Sequence, residues 1–229
     1  MRDGYDAELA DVSRILVAMA EAVRRAMSDA TTALFTTDEA LARRVIAADT
    51  VINEHHQQVE DSVYGLLARQ APVASDLRLL VTALHITADL ERMGDLAKHV
   101  AKVGLRRHPL PAVPESLRRV VADMAAVADR IAAKIGTVLA SPDAVDAATL
   151  ALDDDEMDRL HEALFRILLG ASWRDGVEPA VDGAMLARCY ERYADHAVNA
   201  GRRMYFFVTG SVLHPVDPGA DGLVAGEAP

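Results

Sequence analysis

The sequence predicts an all-α protein built as two antiparallel three-helix bundles related by internal duplication. Three observations predict it. Apolar residues recur at alternating spacings of three and four through most of the chain, the period of a helix with one buried face. The composition is 51% hydrophobic but only 4% aromatic, and rich in Ala, Leu, Arg and Glu, which favours helix over sheet. The pattern Glu-Arg-x-x-Asp occurs twice, at Glu91 to Asp95 and at Glu191 to Asp195, in stretches that otherwise share the same apolar rhythm.

The first helix is read from about Asp6 to Leu34, where Leu9, Val12, Leu16, Met19, Val23, Met27, Ala30 and Leu34 form one stripe. Thr37 suits the N-cap of a second helix from about Asp38 to Arg69, which Pro72 closes. Ser75 and Asp76 begin a third, running through the first motif to Gly104, a residue suited to a left-handed C-cap. The segment Gly104 to Pro114 holds three prolines and no helical period, so it marks a boundary between halves. This divides the chain into a first bundle (1–105), a linker (106–114), a second bundle (115–210) and a Gly- and Pro-rich tail (211–229) expected to be disordered. In the second half, Leu117, Val120, Met124, Val127, Ile131, Ile135 and Val138 define a fourth helix. Ser141, followed by Pro142, suits the N-cap of a fifth that reaches about Leu169. After a loop over 170–179, a sixth carries the second motif to about Val208.

Several function classes are excluded or disfavoured by composition. A formal net charge of −11 argues against general nucleic-acid binding, and the Arg-Arg pairs beginning at Arg24, Arg43, Arg106, Arg118 and Arg202 are isolated rather than clustered. The single cysteine, Cys189, excludes an intramolecular disulfide and a cysteine-based zinc site, and is read as a small buried residue. The N-terminus carries no apolar run behind a basic head, so no signal peptide is expected, and no stretch reaches the roughly 20 apolar residues of a membrane helix. A cytoplasmic protein without direct membrane insertion is the expectation.

The motifs carry the chemistry. Residues four apart share one helix face, so Glu91 with Asp95, and Glu191 with Asp195, each set two carboxylates side by side, which is unfavourable without a positive partner. The preceding helix of each half carries a matching polar pair, Asp49 with Asn53 and Asp154 with Asp158. In a helical hairpin, residues equidistant from the turn come level. Asp49 and Asp95 are equidistant from Pro72, as are Asn53 and Glu91, while Asp154 with Asp195 and Asp158 with Glu191 are both centred between Arg174 and Asp175. Each half therefore assembles four oxygen-bearing side chains, a donor set for hard ions such as Mg, Mn, Ca or ferric iron that does not exclude Zn. Asn53 is the asymmetric member, so the first cluster is expected to hold fewer ions or hold them less tightly. His56 and His161, in equivalent positions, and His99, one turn beyond Asp95, are possible additional metal ligands. Arg92 and Arg192 point away around the helix and are expected to pair with carboxylates of a neighbouring helix.

These stretches, Glu-Arg-Met-Gly-Asp-Leu-Ala-Lys-His-Val-Ala and Glu-Arg-Tyr-Ala-Asp-His-Ala-Val-Asn, with the Asp-x-x-x-Asn and Asp-x-x-x-Asp helices before them, resemble the PhoU family over about Tyr5 to Gly210. The Arg- and Ala-rich character is similar to that of actinobacterial members. The resemblance implies two similar three-helix bundles with multinuclear metal clusters, iron or zinc favoured, on the acidic faces. It implies a homodimer that acts without catalysis, as an adaptor between the phosphate ABC transporter ATPase (PstB-like) and a sensor histidine kinase (PhoR-like), repressing the phosphate-starvation response in high phosphate at the inner face of the membrane. The first motif departs from the second in having Lys98 and His99 where the second has Val198 and Asn199. The competing reading is a carboxylate-bridged metal-dependent enzyme on a helical bundle. It ranks lower because such sites pair Glu with Glu-x-x-His, and only Asp158-x-x-His161 approaches that pattern. A third reading, solvated faces of a structural bundle, is opposed by the mirrored spacing.

Overall fold

The computed structural model describes residues 2–70 and 72–213, without the side chains of 2–3 and 151–154. Among the described residues the regular structure is helical: α1 (Arg2–Thr36), α2 (Glu39–Gln70), α3 (Ala74–Arg107), α4 (Glu115–Ala140), α5 (Ala144–Leu168) and α6 (Val177–Thr209). The expected tail disorder lies outside the described residues from position 214 onward, as does His214.

Helix ends are where the sequence reading needs correction. Thr37 does not cap α2; it takes a left-handed conformation at φ 55°, and the Asp38 N–H donates to Ala33 O at 3.1 Å, a Schellman closure of α1. The cap of α2 is Asp38, whose Oδ1 accepts from the Leu41 N–H at 2.9 Å. Ser75 lies inside the first turn of α3, which Val73 precedes without a side-chain cap. Gly104 is no C-cap either: α3 continues to Arg107, so Arg106 and Arg107 belong to the helix and not to the linker. Ser141 closes α4 by donating its N–H to Thr137 O, and Asp143 instead caps α5, accepting from Val145 and Asp146 at 2.8 and 3.0 Å. For α2 and α5 the reason is common: an aspartate one or two residues further on offers a better acceptor than the hydroxyl expected from sequence.

The helices α1, α2 and α3 pack on one another, as do α4, α5 and α6, and the two triplets join along α3 with α6 and α1 with α4. The stripes meet in one continuous core running from Val12 to Met204. The connector after α3 is tied into it, since Ala112 and Val113 are buried. The α3–α6 seam is antiparallel. At one end Asp182 near the start of α6 binds Arg106 and Arg107 at the end of α3, and at the other Asp89 of α3 binds Arg203 of α6. Tyr190 and Tyr193, fully buried, reach from α6 to α1: the Tyr190 hydroxyl lies 2.7 Å from Thr31 Oγ1, and the Tyr193 hydroxyl donates to Val23 O at 3.2 Å. None of the described helices is long and apolar enough to cross a membrane.

Candidate functional site

The motif helices α3 and α6 each face the helix before them in sequence, and the register expected from hairpin symmetry is directly visible in the first half. Lys98 Nζ of α3 donates to Asp49 Oδ2 of α2 at 2.5 Å and to Asp95 Oδ1 at 2.7 Å, which places those two carboxylates level across the hairpin. Gly94 sits at the same level, where a Cβ would meet Ile52 Cδ1 at 2.8 Å; a glycine in the motif allows the two helices this approach.

The first cluster has its own positive charge. Asp49 Oδ2 also receives the Asn53 amide N–H at 3.3 Å, so Asn53 acts as a donor where an oxygen ligand was expected. Burial alone would raise the Asp95 carboxyl, but the hydrogen bond and charge of Lys98, with Arg92 and His99 adding, hold it below the ordinary aspartate range. Lys98 is the mirror case: burial would lower its ammonium, and the two carboxylates hold it above the usual value. Glu91 stands apart, its carboxyl raised chiefly by burial against the opposing charge of Arg92. Arg92 itself pairs 3.5 Å from Glu91 and 3.5 Å from Asp95 on its own helix, not across to a neighbour as expected from its direction. His56 Nδ1 lies 3.4 Å from Thr87 O and its Nε2 3.5 Å from Glu60, so both ring nitrogens already face oxygen partners. His99 is exposed beside Asp95.

The second cluster differs in sign. Burial raises the Asp195 carboxyl, and the like charges of Glu191 and Asp158 raise it further, which places all three acids within electrostatic reach of one another. Arg188 pairs with Glu191 from the exposed side. The residue equivalent to Lys98 is Val198, so this motif helix supplies no ammonium at that position. His161 rests its ring against Phe165, centroids 4.9 Å apart. Asp154, the fourth expected ligand, has its side chain outside the described residues. Among the described side chains, no three or more Asp, Glu, His or Cys form a group already arranged to hold a metal ion. As donor sets, then, the two halves diverge. Asp158 and Asp195 offer carboxylate oxygens that a cation would relieve of mutual repulsion, whereas Asp49 and Asp95 are engaged by Lys98.

Sequence reading passed over the groups that join the halves. Asp182 is buried and held by Arg106 and Arg107, the latter also pairing with Glu178; Asp89 is buried and held by Arg203 Nε at 3.0 Å and His196 Nδ1 at 3.0 Å. A signal was present. Asp182 falls in register with Leu186, Cys189 and Tyr193, and Asp89 with Ile86 and Met93, so each is a charge inside an apolar stripe. The isolated arginine pairs supply several of the cations: Arg24 of α1 binds Asp129 of α4 and Arg118 of α4 lies over the Phe35 ring of α1 at 5.1 Å, while Arg43 binds Glu39 within α2. Cys189 is buried as expected, its thiol pushed up to about 11 by burial, and is therefore unreactive at neutral pH.

Comparison with known proteins agrees with this geometry. The family model described as the PhoU domain matches twice, over residues 16–103 and 121–204. The chain is 43% identical over 211 residues to the phosphate-specific transport system accessory protein PhoU homolog 2 of Mycobacterium tuberculosis, covering 92% of this chain and 99% of that protein. It is 42% identical to homolog 1 of the same species over 210 residues, covering 92% of this chain and 95% of the relative. Among solved structures, the crystal structure of PhoU from Pseudomonas aeruginosa superposes with a TM-score of 0.85 at 29% identity, over 90% of this chain and all (100%) of that one. The phosphate transport system regulatory protein PhoU from Streptococcus pneumoniae gives 0.82 at 25% identity, over 92% and 100%. Two matched domains, one per half and each ending in a helix that carries Glu-Arg-x-x-Asp, show that this chain belongs to the PhoU family.

Proposed function

We propose that this protein is a non-catalytic accessory regulator of phosphate uptake, an adaptor between the phosphate ABC transporter ATPase and a sensor histidine kinase that represses the starvation response when phosphate is plentiful. The observation that carries this reading is the match of both halves to the PhoU domain together with relatives, similar over nearly their whole length, named as phosphate-specific transport accessory proteins. A non-catalytic role is supported by the names of similar proteins, which are an accessory protein and a regulatory protein of phosphate transport. Deleting the gene in the source organism is expected to switch on phosphate-uptake genes in high phosphate, read as transcript level and reversed by a plasmid copy. Unchanged repression in a strain without a second homologue removes the regulatory reading.

The second cluster is the metal centre of this reading, with Asp154, Asp158, Glu191 and Asp195 as ligands and iron or zinc favoured over Mg, Mn or Ca. A bound cation there would offset the burial and the like charges that raise Asp195, and tie α5 to α6. Protein purified without chelator or affinity metal is expected to carry metal in elemental analysis, and Asp158→Ala with Asp195→Ala to lose it. An unchanged metal content in that variant refutes the assignment.

A further inference from the structure

We infer that in the first half the ammonium of Lys98 takes the place of a metal ion, so that this cluster is a permanent internal ion bridge and the protein's metal is confined to its second half. The inference rests on the metal reading of the second cluster for its contrast, and on three observations for its substance.

The first is position. Lys98 Nζ lies 2.5 Å from Asp49 Oδ2 and 2.7 Å from Asp95 Oδ1, joining α2 to α3. An ion bridging those carboxylates would have to stand about 2.0 to 2.6 Å from the same oxygens. Ammonium and ion would therefore compete for one volume. The second is burial. The side chains of Lys98 and Asp49 retain 20% and 9% of their exposure, so an expelled ammonium has to be carried out of a largely closed interface and its carboxylates left to repel until an ion arrives. The third is the direction of the remaining donor. Asn53 presents its amide N–H to Asp49 Oδ2, hydrogens where a ligand must present a lone pair.

The sequence differences between the halves fall at these same places. The second half has Val198 where the first has Lys98, and Asp158 where the first has Asn53. Relative to the second half, the first has a cation in place of valine and a neutral amide in place of an acid, and both differences make the surroundings of Asp49 more positive, as a bound ion would. The duplicated motif has kept its helix-joining role in both halves by different means: a covalently attached cation that cannot dissociate in one, an exchangeable one in the other.

The test compares chelator-treated full-length protein with variants by titrating MnCl2 and ZnCl2 calorimetrically and by thermal unfolding with and without each metal. The Asp158→Ala/Asp195→Ala variant is expected to bind neither ion and to show no metal-dependent shift, while Asp49→Asn/Asp95→Asn keeps the wild-type stoichiometry. Lys98→Met is expected to melt below wild type in chelator, and Lys98→Met/Asn53→Asp to gain at least one equivalent of metal and a melting temperature that rises on adding it. Metal retained by Asp158→Ala/Asp195→Ala and lost on adding Asp49→Asn/Asp95→Asn overturns the inference, as does a Lys98→Met protein that melts at or above wild type in chelator. Should wild type bind neither ion and carry no iron in elemental analysis, the metal reading of the second cluster fails by itself. The melting of Lys98→Met in chelator and the metal gain of Lys98→Met/Asn53→Asp then still decide whether Lys98 stands in for an ion.

Discussion

Replacing Tyr193 by alanine is expected to lower the unfolding free energy by about 3 to 5 kcal/mol, the range for truncating a fully buried aromatic side chain. Tyr193 has no exposed surface and projects from the motif helix α6 to the backbone of α1, where its hydroxyl donates to Val23 O. Burial pushes its phenol far above the ordinary tyrosine value, so it stays a neutral donor at every working pH. The cavity left by alanine opens at the junction of the two triplets, where α1, α4 and α6 converge, and helices held from several sides relax poorly into a void. Tyr193→Phe keeps the ring and loses one hydrogen bond, with an expected cost of about 0.5 to 1.5 kcal/mol. Urea unfolding of the two variants separates packing from hydrogen bonding. Equal losses in both would show that the hydroxyl, not the ring, holds α6 to α1.

Asp182→Ala is expected to cost about 2 to 3 kcal/mol, and to loosen the seam between the halves more than either half itself. The Asp182 side chain is 3% exposed and is held by both Arg106 and Arg107. Removing one member of a buried ion pair commonly costs about 3 to 5 kcal/mol because the other charge is left without compensation. Here the arginines remain partly in water, Arg106 at 54% and Arg107 at 22% exposure, which moves the expectation below that range. A double-mutant cycle with Arg107→Ala is expected to show losses that do not add, since the two groups touch. Hydrogen exchange is expected to speed at the end of α3 and the start of α6. Additive losses with unchanged exchange there would remove Asp182 from the seam.

Both predictions concern residues that local pattern alone treated as ordinary. Tyr190 and Tyr193 occupy the positions of Leu90 and Met93 in the first motif, and their stripe shows only that they are buried. That each reaches a specific oxygen on α1 depends on how the two triplets dock. Asp182 and Asp89 interrupt apolar stripes, which is legible, but their partners lie in the other half of the chain and at no fixed spacing. Reading Gly104 as the C-cap puts the arginine pair at Arg106 in a linker, whereas the helix runs on to Arg107 and ends only at the prolines beyond. The helix caps moved for a smaller reason, since neighbouring Thr37 and Asp38, or Ser141 and Asp143, are chemically eligible and only backbone geometry chooses between them.

Much of the organisation was nonetheless set by sequence alone. The three-and-four spacing determines the helices, and a repeated Glu-Arg-x-x-Asp determines that the chain is a duplication with two acidic faces. Equidistance from Pro72 brings Asp49 level with Asp95, because helices in a hairpin rise at the same rate from their turn. Sequence did not determine what lies between those carboxylates. Lys98 was visible as a departure from the second motif, but its long side chain could have run to solvent, as lysines on helix surfaces do. Only the packing of α2 against α3 decides that its ammonium turns inward to meet two acids at once. A flexible stem finds its partner from the shape and charge of the surface built around it, and that surface exists only when the helices have docked.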